Sequence, residues 1–168
     1  RAAIKRGLTE VQTQGYAGQK TIDELLLALD ILKNTLPSLT QLDITDSNGK
    51  VVVSTSSSEA GKNYSTEPWF QKSKEKPTFL RIYKADSQIL YDISCPVLDL
   101  KREKVIGVIK MTLKADRFFG LLADRGGLGE SGEWVLGWRT GTDLLFLNPL
   151  RHNPKATLEL KIPVASNL

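Results

Sequence analysis

One cysteine, one histidine and no long apolar run remove several classes of function at the outset. With Cys95 as the only cysteine among 168 residues, no intrachain disulfide can close and no cysteine-built metal site can assemble. His152 is likewise alone. No histidine pair or cysteine–histidine pair is available as a base, nucleophile set or metal cluster. It also sits in Asn148-Pro149-Leu150-Arg151-His152-Asn153-Pro154, where two Asn-Pro steps mark a loop. No apolar stretch approaches the ~18 residues that would cross a bilayer. The glycines between Gly126 and Gly132 lack a following Gly-Lys-Ser/Thr, and no Gly-x-Gly-x-x-Gly opens a helix, so a nucleotide loop is unsupported. Asp43, Asp46 and Asn48 crowd one turn without the spacing and closing glutamate of a calcium hand. No metal and no cofactor are expected. The 23 basic residues are scattered among 19 acidic ones for a net charge of +4. The densest cluster, Lys101, Arg102 and Lys104, is broken by Glu103 and reads as a solvated turn, so no nucleic-acid partner is expected.

What remains is ordinary globular composition, 40% hydrophobic and 25% charged, in a length that suits one domain or one domain plus part of another. Residues 1 to 36 read as helical, with Gly15 and Gly18 as a weak point. Thr21 and Glu24 fit a capping box, and Ile22, Leu25, Leu26, Leu29, Leu32 and Leu36 recur at helical spacing until Pro37 and Ser38 end the run. Ala3, Ile4, Leu8 and Val11 make a narrower stripe before it. Such a helix would pair with a copy of itself or lie along its own domain. Two strands follow, Leu39 to Thr45 and Lys50 to Thr55, joined through Asn48-Gly49, a strong hairpin signal. Three more strand segments, Thr78 to Lys84, Ile89 to Leu98 and Lys104 to Leu113, are linked by turns short enough for antiparallel hairpins. Ala115 to Ala123 reads as a closing helix. This order predicts an α+β fold, a five-stranded antiparallel sheet with helices packed on a face. The glycines from Arg125 to Gly129 mark a boundary. Beyond it, Glu133 to Arg139 and Asp143 to Leu147 read as a hairpin around Thr140-Gly141-Thr142, and Leu158 to Val164 as a further strand. Two or three strands are too few for an independent core.

The stretch Gly61 to Phe70, GKNYSTEPWF, carries the functional question. Ser65 and Thr66 are N-cap types, Pro68 suits a first helical turn and Glu67 complements the helix dipole. Trp69 and Phe70 therefore open a short helix where a single sheet would be covered. They either close a core or wall a cavity. On the strands, period-two alternation puts Arg81 with Tyr83 on one face, Tyr91 with Ile93 and Cys95 on one, and Lys110 with Thr112 on one, opposite Ile109 and Met111. Arg81 is the only arginine of the three-strand region and suits a ligand carboxylate; the alternative is a solvated sheet face. Tyr83 and Tyr91 are amphipathic groups able to bond a polar ligand while covering its apolar part.

The order of elements, with LDITDSNGKVVVST, GKNYSTEPWF, VIGVIKMTL and GLGESGEWVLG, resembles the double-Cache family of extracytoplasmic sensor domains found on bacterial histidine kinases, chemoreceptors and cyclic-dinucleotide enzymes. The resemblance implies a long N-terminal helix over residues 1–36, a membrane-distal PAS-like module over 37–125, and the start of an incomplete membrane-proximal module over 126–168. It implies a periplasmic location, with flanking membrane spans outside this sequence. It implies a small organic ligand held in the distal module between the sheet and the loop-helix, near Tyr64, Glu67, Trp69, Phe70, Arg81, Tyr83, Tyr91 and Thr112. In the amino-acid-sensing branch an arginine two residues before a tryptophan grips the carboxylate, and a late-strand aspartate grips the amino group. Here Glu67 and Thr112 stand at those positions. That departure points away from α-amino acids and toward a small carboxylate, an amine or a polyol. The expectation is a non-enzymatic sensor domain, with homodimerisation through the N-terminal helix. The alternatives are a ligand-free dimerisation or interaction module, whose core Trp69 and its neighbours would fill, and, with least support, a hydrolase.

Overall fold

The computed structural model describes residues 2–14, 18–124, 126–130 and 132–164. Arg1, the expected weak point at Gly15 and the boundary residue Arg125 lie outside the described residues. The chain divides into two compact units, residues 1–81 with 91–113, and residues 82–90 with 114–168.

The helical stretch is two helices, α1 (Ala2–Gln14) and α2 (Gln19–Thr35), in place of one long helix. Gly7 lets them meet: a Cβ there would lie 3.0 Å from Leu25 Cδ1 and 3.1 Å from Thr21 Cγ2. The capping box expected from Thr21 and Glu24 does not form. Gly18 is the N-cap, one turn earlier, and the Thr21 hydroxyl donates instead to the Glu10 carboxylate of α1. Of the apolar stripe on α2, Leu25 and Leu29 are buried, whereas Leu26 and Leu32 remain exposed. Burial goes to the positions that face both α1 and the sheet.

Strands β1 (Leu39–Asp46) and β2 (Val51–Ser54) form the expected hairpin. Its turn uses Asn-Gly differently from a two-residue loop. The Gly49 N–H donates to the Asp46 carbonyl and Gly49 alone takes positive φ, at 91°. The Asp46 carboxylate accepts from the Asn48 and Lys50 N–H groups at 2.9 Å each. A side chain at Gly49 would collide with the Ser65 backbone nitrogen at 2.5 Å, so the turn also seats the loop that leads to the next helix. That loop carries a 3₁₀ turn (Ser57–Glu59) and then α3 (Pro68–Glu75). Pro68 occupies the first turn as anticipated, but the N-cap is Glu67, not Ser65 or Thr66, and its side chain makes no cap hydrogen bond.

Strands β3 (Thr78–Ala85), β4 (Gln88–Leu98) and β5 (Val105–Lys114) complete a five-stranded antiparallel sheet in the order β2-β1-β5-β4-β3. The fold is the predicted α+β arrangement. Ile4, Leu8, Leu25 and Leu29 from the helices pack with Leu39, Leu42, Ile44, Val53 and Leu113 from the strands, and Ile93, Ile109 and Met111 lie against this core. Each fully buried Leu or Ile contributes ~1.5–3 kcal/mol by leaving water. Gly107 on β5 sits where α1 and β1 converge. A Cβ there would lie 2.2 Å from the Thr45 carbonyl oxygen and 2.8 Å from Leu8 Cδ1.

In the second unit, α4 (Asp116–Leu122) follows β5 directly, and the Ala115 N–H before it donates to the Ile89 carbonyl. Strands β6 (Gly137–Thr140), β7 (Asp143–Phe146) and β8 (Lys161–Pro163) form a three-stranded sheet in that order. The expected hairpin is present with Gly141 in its turn at φ 62°, but residues 133–136 are irregular rather than strand. Ala115, Phe146, Leu147 and Ala156 are the buried apolar residues among the described residues of this unit.

Candidate functional site

Alternation along the strands gives the sheet a second face unlike the first. Leu42 and Ile44 of β1 join the helix-covered core, and Asp43 between them points away from it. On β5, Met111 pairs in register with Leu42, and Lys110 with Asp43. On β4, Ile93 lies against the core while Asp92 and Ser94 are buried on the polar side. Helix α3 covers this side. Ser73 is buried and its hydroxyl meets that of Ser94, and Phe70, 1% exposed, anchors the helix.

A pocket of about 270 Å³ opens here, lined by Glu67, Trp69, Leu80, Arg81, Asp92 and Lys110. The Lys110 side chain is only 15% exposed. Its ammonium lies 5.6 Å from the ring centroids of both Tyr64 and Trp69, whose rings meet edge-on at 5.1 Å. Aromatic faces favour a cation electrostatically, and more so where water is scarce. Asp92, 1% exposed, accepts from Arg81 Nε at 2.8 Å and from the Thr112 hydroxyl at 2.8 Å. Arg81 is thus tethered at one edge while most of its side chain stays in solvent.

Behind Lys110, the Asp43 carboxylate lies 3.9 Å from its ammonium. Asp43 also accepts from Ser54 Oγ at 2.6 Å and from Gln41 Nε2 at 2.9 and 3.1 Å. Burial still pushes its pKa above the ordinary aspartate value, against the lowering effect of these hydrogen bonds and of Lys110. The Tyr64 hydroxyl donates to the Glu59 carboxylate. Burial first, and that bond second, raise the Tyr64 pKa. Glu59 is held below the usual carboxylate range chiefly by its hydrogen bond from Lys62, at 2.8 Å.

Of the residues expected at a ligand site, Glu67, Trp69 and Arg81 line the pocket, Tyr64 backs its aromatic wall, and Thr112 braces its floor through Asp92. Phe70 belongs to the packing beneath α3 rather than to the lining. Tyr91 lies against the helix-side core and stacks with Phe79 at 6.1 Å, because its parity on β4 is opposite to that of Asp92. Tyr83 falls in the second unit. Three pocket residues, Leu80, Lys110 and Asp92, went unselected, although for the two charged ones Lys110-x-Thr112 and Asp92-x-Ser94 are the signal: polar residues alternating with Ile93, Ile109 and Met111 on strands that a sheet must bury. Sequence alone also left the floor without an acid, and Asp92 supplies one.

A larger cavity, about 420 Å³, lies within the second unit beside Phe119, Leu122, Trp134 and Leu150. Its buried polar side chain, Asn148, is taken up by backbone groups: it accepts from the Leu136 N–H at 2.6 Å and donates to the Trp134 and Pro149 carbonyls at 3.0 Å. His152 is exposed on the adjoining loop. Among the described residues no group of three or more His, Cys, Asp or Glu could hold a metal ion, and no helix is long and apolar enough to cross a membrane.

No protein-family profile matches the chain, and no curated protein matches it. Among solved structures, the sensor domain of the V. cholerae histidine kinase DctB aligns with a TM-score of 0.53 at 17% identity, over 73% of this chain and 47% of that one. The sensory domain of the Campylobacter jejuni chemoreceptor Tlp3 gives a TM-score of 0.48 at 17% identity, over 73% and 55%. The ligand-binding domain of the Pseudomonas aeruginosa amino acid chemoreceptor PctC, solved with GABA, gives 0.48 at 12%, over 73% and 54%. The chain spans about half the length of these domains. It has the fold of the Cache-type, PAS-like sensor domains, carried by the likeness to the kinase sensor domain.

Proposed function

We propose that this chain is the ligand-binding, extracytoplasmic part of a transmembrane signalling protein, and that its pocket under α3 takes a small organic carboxylate without altering it chemically. The observation that carries the reading is Lys110: a nearly buried ammonium at a pocket floor, beneath the aromatic wall of Trp69 and Tyr64. A buried cation facing a cavity favours an anion there, since charge-assisted hydrogen bonds strengthen as water is excluded. Arg81 at the pocket edge adds a second positive charge, and Trp69 offers an apolar surface for the carbon skeleton. Asp92 already accepts from Arg81 and Thr112, so part of its capacity to hold an α-ammonium is taken up. Glu67 at the pocket lining repels a second carboxylate placed at that end.

Calorimetric titration with acetate, propionate and butyrate, alongside the common α-amino acids, tests this. The expected result is binding of a carboxylate that is lost in Lys110→Met and weakened at least tenfold in Trp69→Ala. Micromolar binding of an α-amino acid that survives Lys110→Met would overturn the ligand class. An interaction module without a ligand would instead show no heat with any small molecule.

A further inference from the structure

Asp43 is a buried carboxylate whose cationic neighbour, Lys110, is also the group proposed to hold the ligand. From its own strand it faces Gln41, from β2 Ser54, from β5 Lys110, and from the 3₁₀ turn Glu59, whose negative charge bears on it as well. Tyr64 lies near, with its hydroxyl committed to Glu59. At 3.9 Å the Lys110 ammonium is beyond hydrogen-bond reach of Asp43. The two interact through charge alone, and a second anion can share or draw away that charge without breaking a hydrogen bond. The proton, once taken up, has a built acceptor. Ser54 Oγ lies 2.6 Å from Asp43 Oδ1, and a hydroxyl that donates to a carboxylate can turn to accept from a carboxylic acid.

Resting on the anion reading above, we infer that the site is proton-coupled: a carboxylate bound at Lys110 draws one proton from solvent onto Asp43, and the sensor holds its anion more tightly as its surroundings acidify. The ligand places a like charge on the far side of Lys110, which disfavours the ionised form of Asp43. Burial has already moved Asp43 in the same direction. No bond to the ligand is made or broken; water supplies the proton and the Asp43 carboxylate takes it. By linkage, affinity rises with falling pH between the Asp43 pKa of the occupied and the empty protein, by up to tenfold per pH unit for one proton.

The test titrates propionate into the whole chain from pH 4.5 to 8 in two buffers of different ionisation enthalpy. It also follows the Asp43 side-chain carboxyl carbon by NMR, in the wild type and in Lys110→Met. The expected results are uptake of up to one proton per propionate, an upward displacement of the Asp43 titration by propionate, and a similar displacement by Lys110→Met without ligand. Asp43→Asn should bind with no pH slope and at pH 8 at least as tightly as the wild type. Glu67→Gln and Glu59→Gln should keep the slope, which assigns the proton to Asp43. Binding without proton uptake, or a slope that vanishes in Glu67→Gln, overturns the coupling and leaves the anion site standing. An Asp43 titration indifferent to Lys110→Met overturns the coupling even before ligand is added. If Lys110→Met displaces Asp43 but propionate, acetate and butyrate all leave the protein unchanged, the anion reading fails and takes the coupling with it.

Discussion

The two faces of the five-stranded sheet are made by the same strands and stabilised by different physics. On one, Leu42, Ile44, Ile93, Ile109 and Met111 meet two helices in a continuous apolar layer. On the other, the alternating positions beneath α3 carry ionic and hydroxylic residues: Asp43, Asp92, Ser94, Lys110, Thr112. An antiparallel sheet can leave its second face in water, but Asp43, Asp92, Ser94 and Thr112 are buried, under a short helix and a loop. Burying charge is costly unless each group is paired, and these groups are paired: Asp92 with Thr112 and Arg81, Ser94 with Ser73, Asp43 with Ser54 and Gln41. A face assembled this way is poor at adding stability and good at holding charges in fixed positions. It is the face where recognition of a polar molecule is affordable.

Phe70→Ala should be the most damaging change on the polar side. Phe70 is the buried apolar anchor of α3, packed edge-on to Trp69 at 6.0 Å with Lys74 over its ring. Its loss should cost ~3–5 kcal/mol by urea denaturation and abolish ligand binding with it. An effect under ~1 kcal/mol would mean that hydroxyl contacts such as Ser73 with Ser94 hold α3 by themselves. Leu25→Ala on the helix side should cost ~2–5 kcal/mol and, in contrast, leave affinity for the ligand within a factor of two when the folded fraction is taken into account. If affinity fell in step with stability, the two faces would not be separable.

Asp92→Asn leaves Thr112 with a weaker acceptor and removes the carboxylate charge that Arg81 Nε bonds. It should cost ~1–3 kcal/mol and change the mobility of Arg81 by NMR relaxation, with the helix-side core unaltered. The smallest effect concerns Asp43. Its raised native pKa means that the folded state binds a proton more readily than the unfolded chain. Between the ordinary aspartate value and the native one, the native state therefore holds more protons, and stability falls as pH rises through that window. Asp43→Asn should flatten this slope and be neutral to mildly stabilising at pH 7. A thermal unfolding series against pH reads the difference directly; a stability loss at pH 7 would show that pairing with Lys110 outweighs desolvation.

The sequence made the fold legible because the signals behind it are local. Asn48-Gly49, Pro68 and the alternation of strands 89–98 and 104–113 act within a few residues, and the elements fall within a residue or two of where they point. Where tertiary partners decide, legibility stopped. Thr21 looks like a cap until Glu10 of another helix claims its hydroxyl. Leu26 and Leu32 look like core until burial is assigned to Leu25 and Leu29. The site was half legible for the same reason. Trp69, Glu67 and Arg81 stand out by residue type, whereas Lys110 becomes notable only once two aromatic rings and a buried carboxylate are known to surround it.

Gly107 gives the site a mechanical reach. It stands three residues before Lys110 on β5, about 10 Å along the strand, and backbone of β1 and the tip of Leu8 occupy the space its side chain would need. Close-packed interiors compress little, and only the Leu8 side chain separates this strand from the backbone of helix α1. A shift of β5 at Lys110 would therefore meet Leu8 of α1 directly, with no intervening side chain at Gly107. Gly107 is the clearance that lets strand and helix mesh.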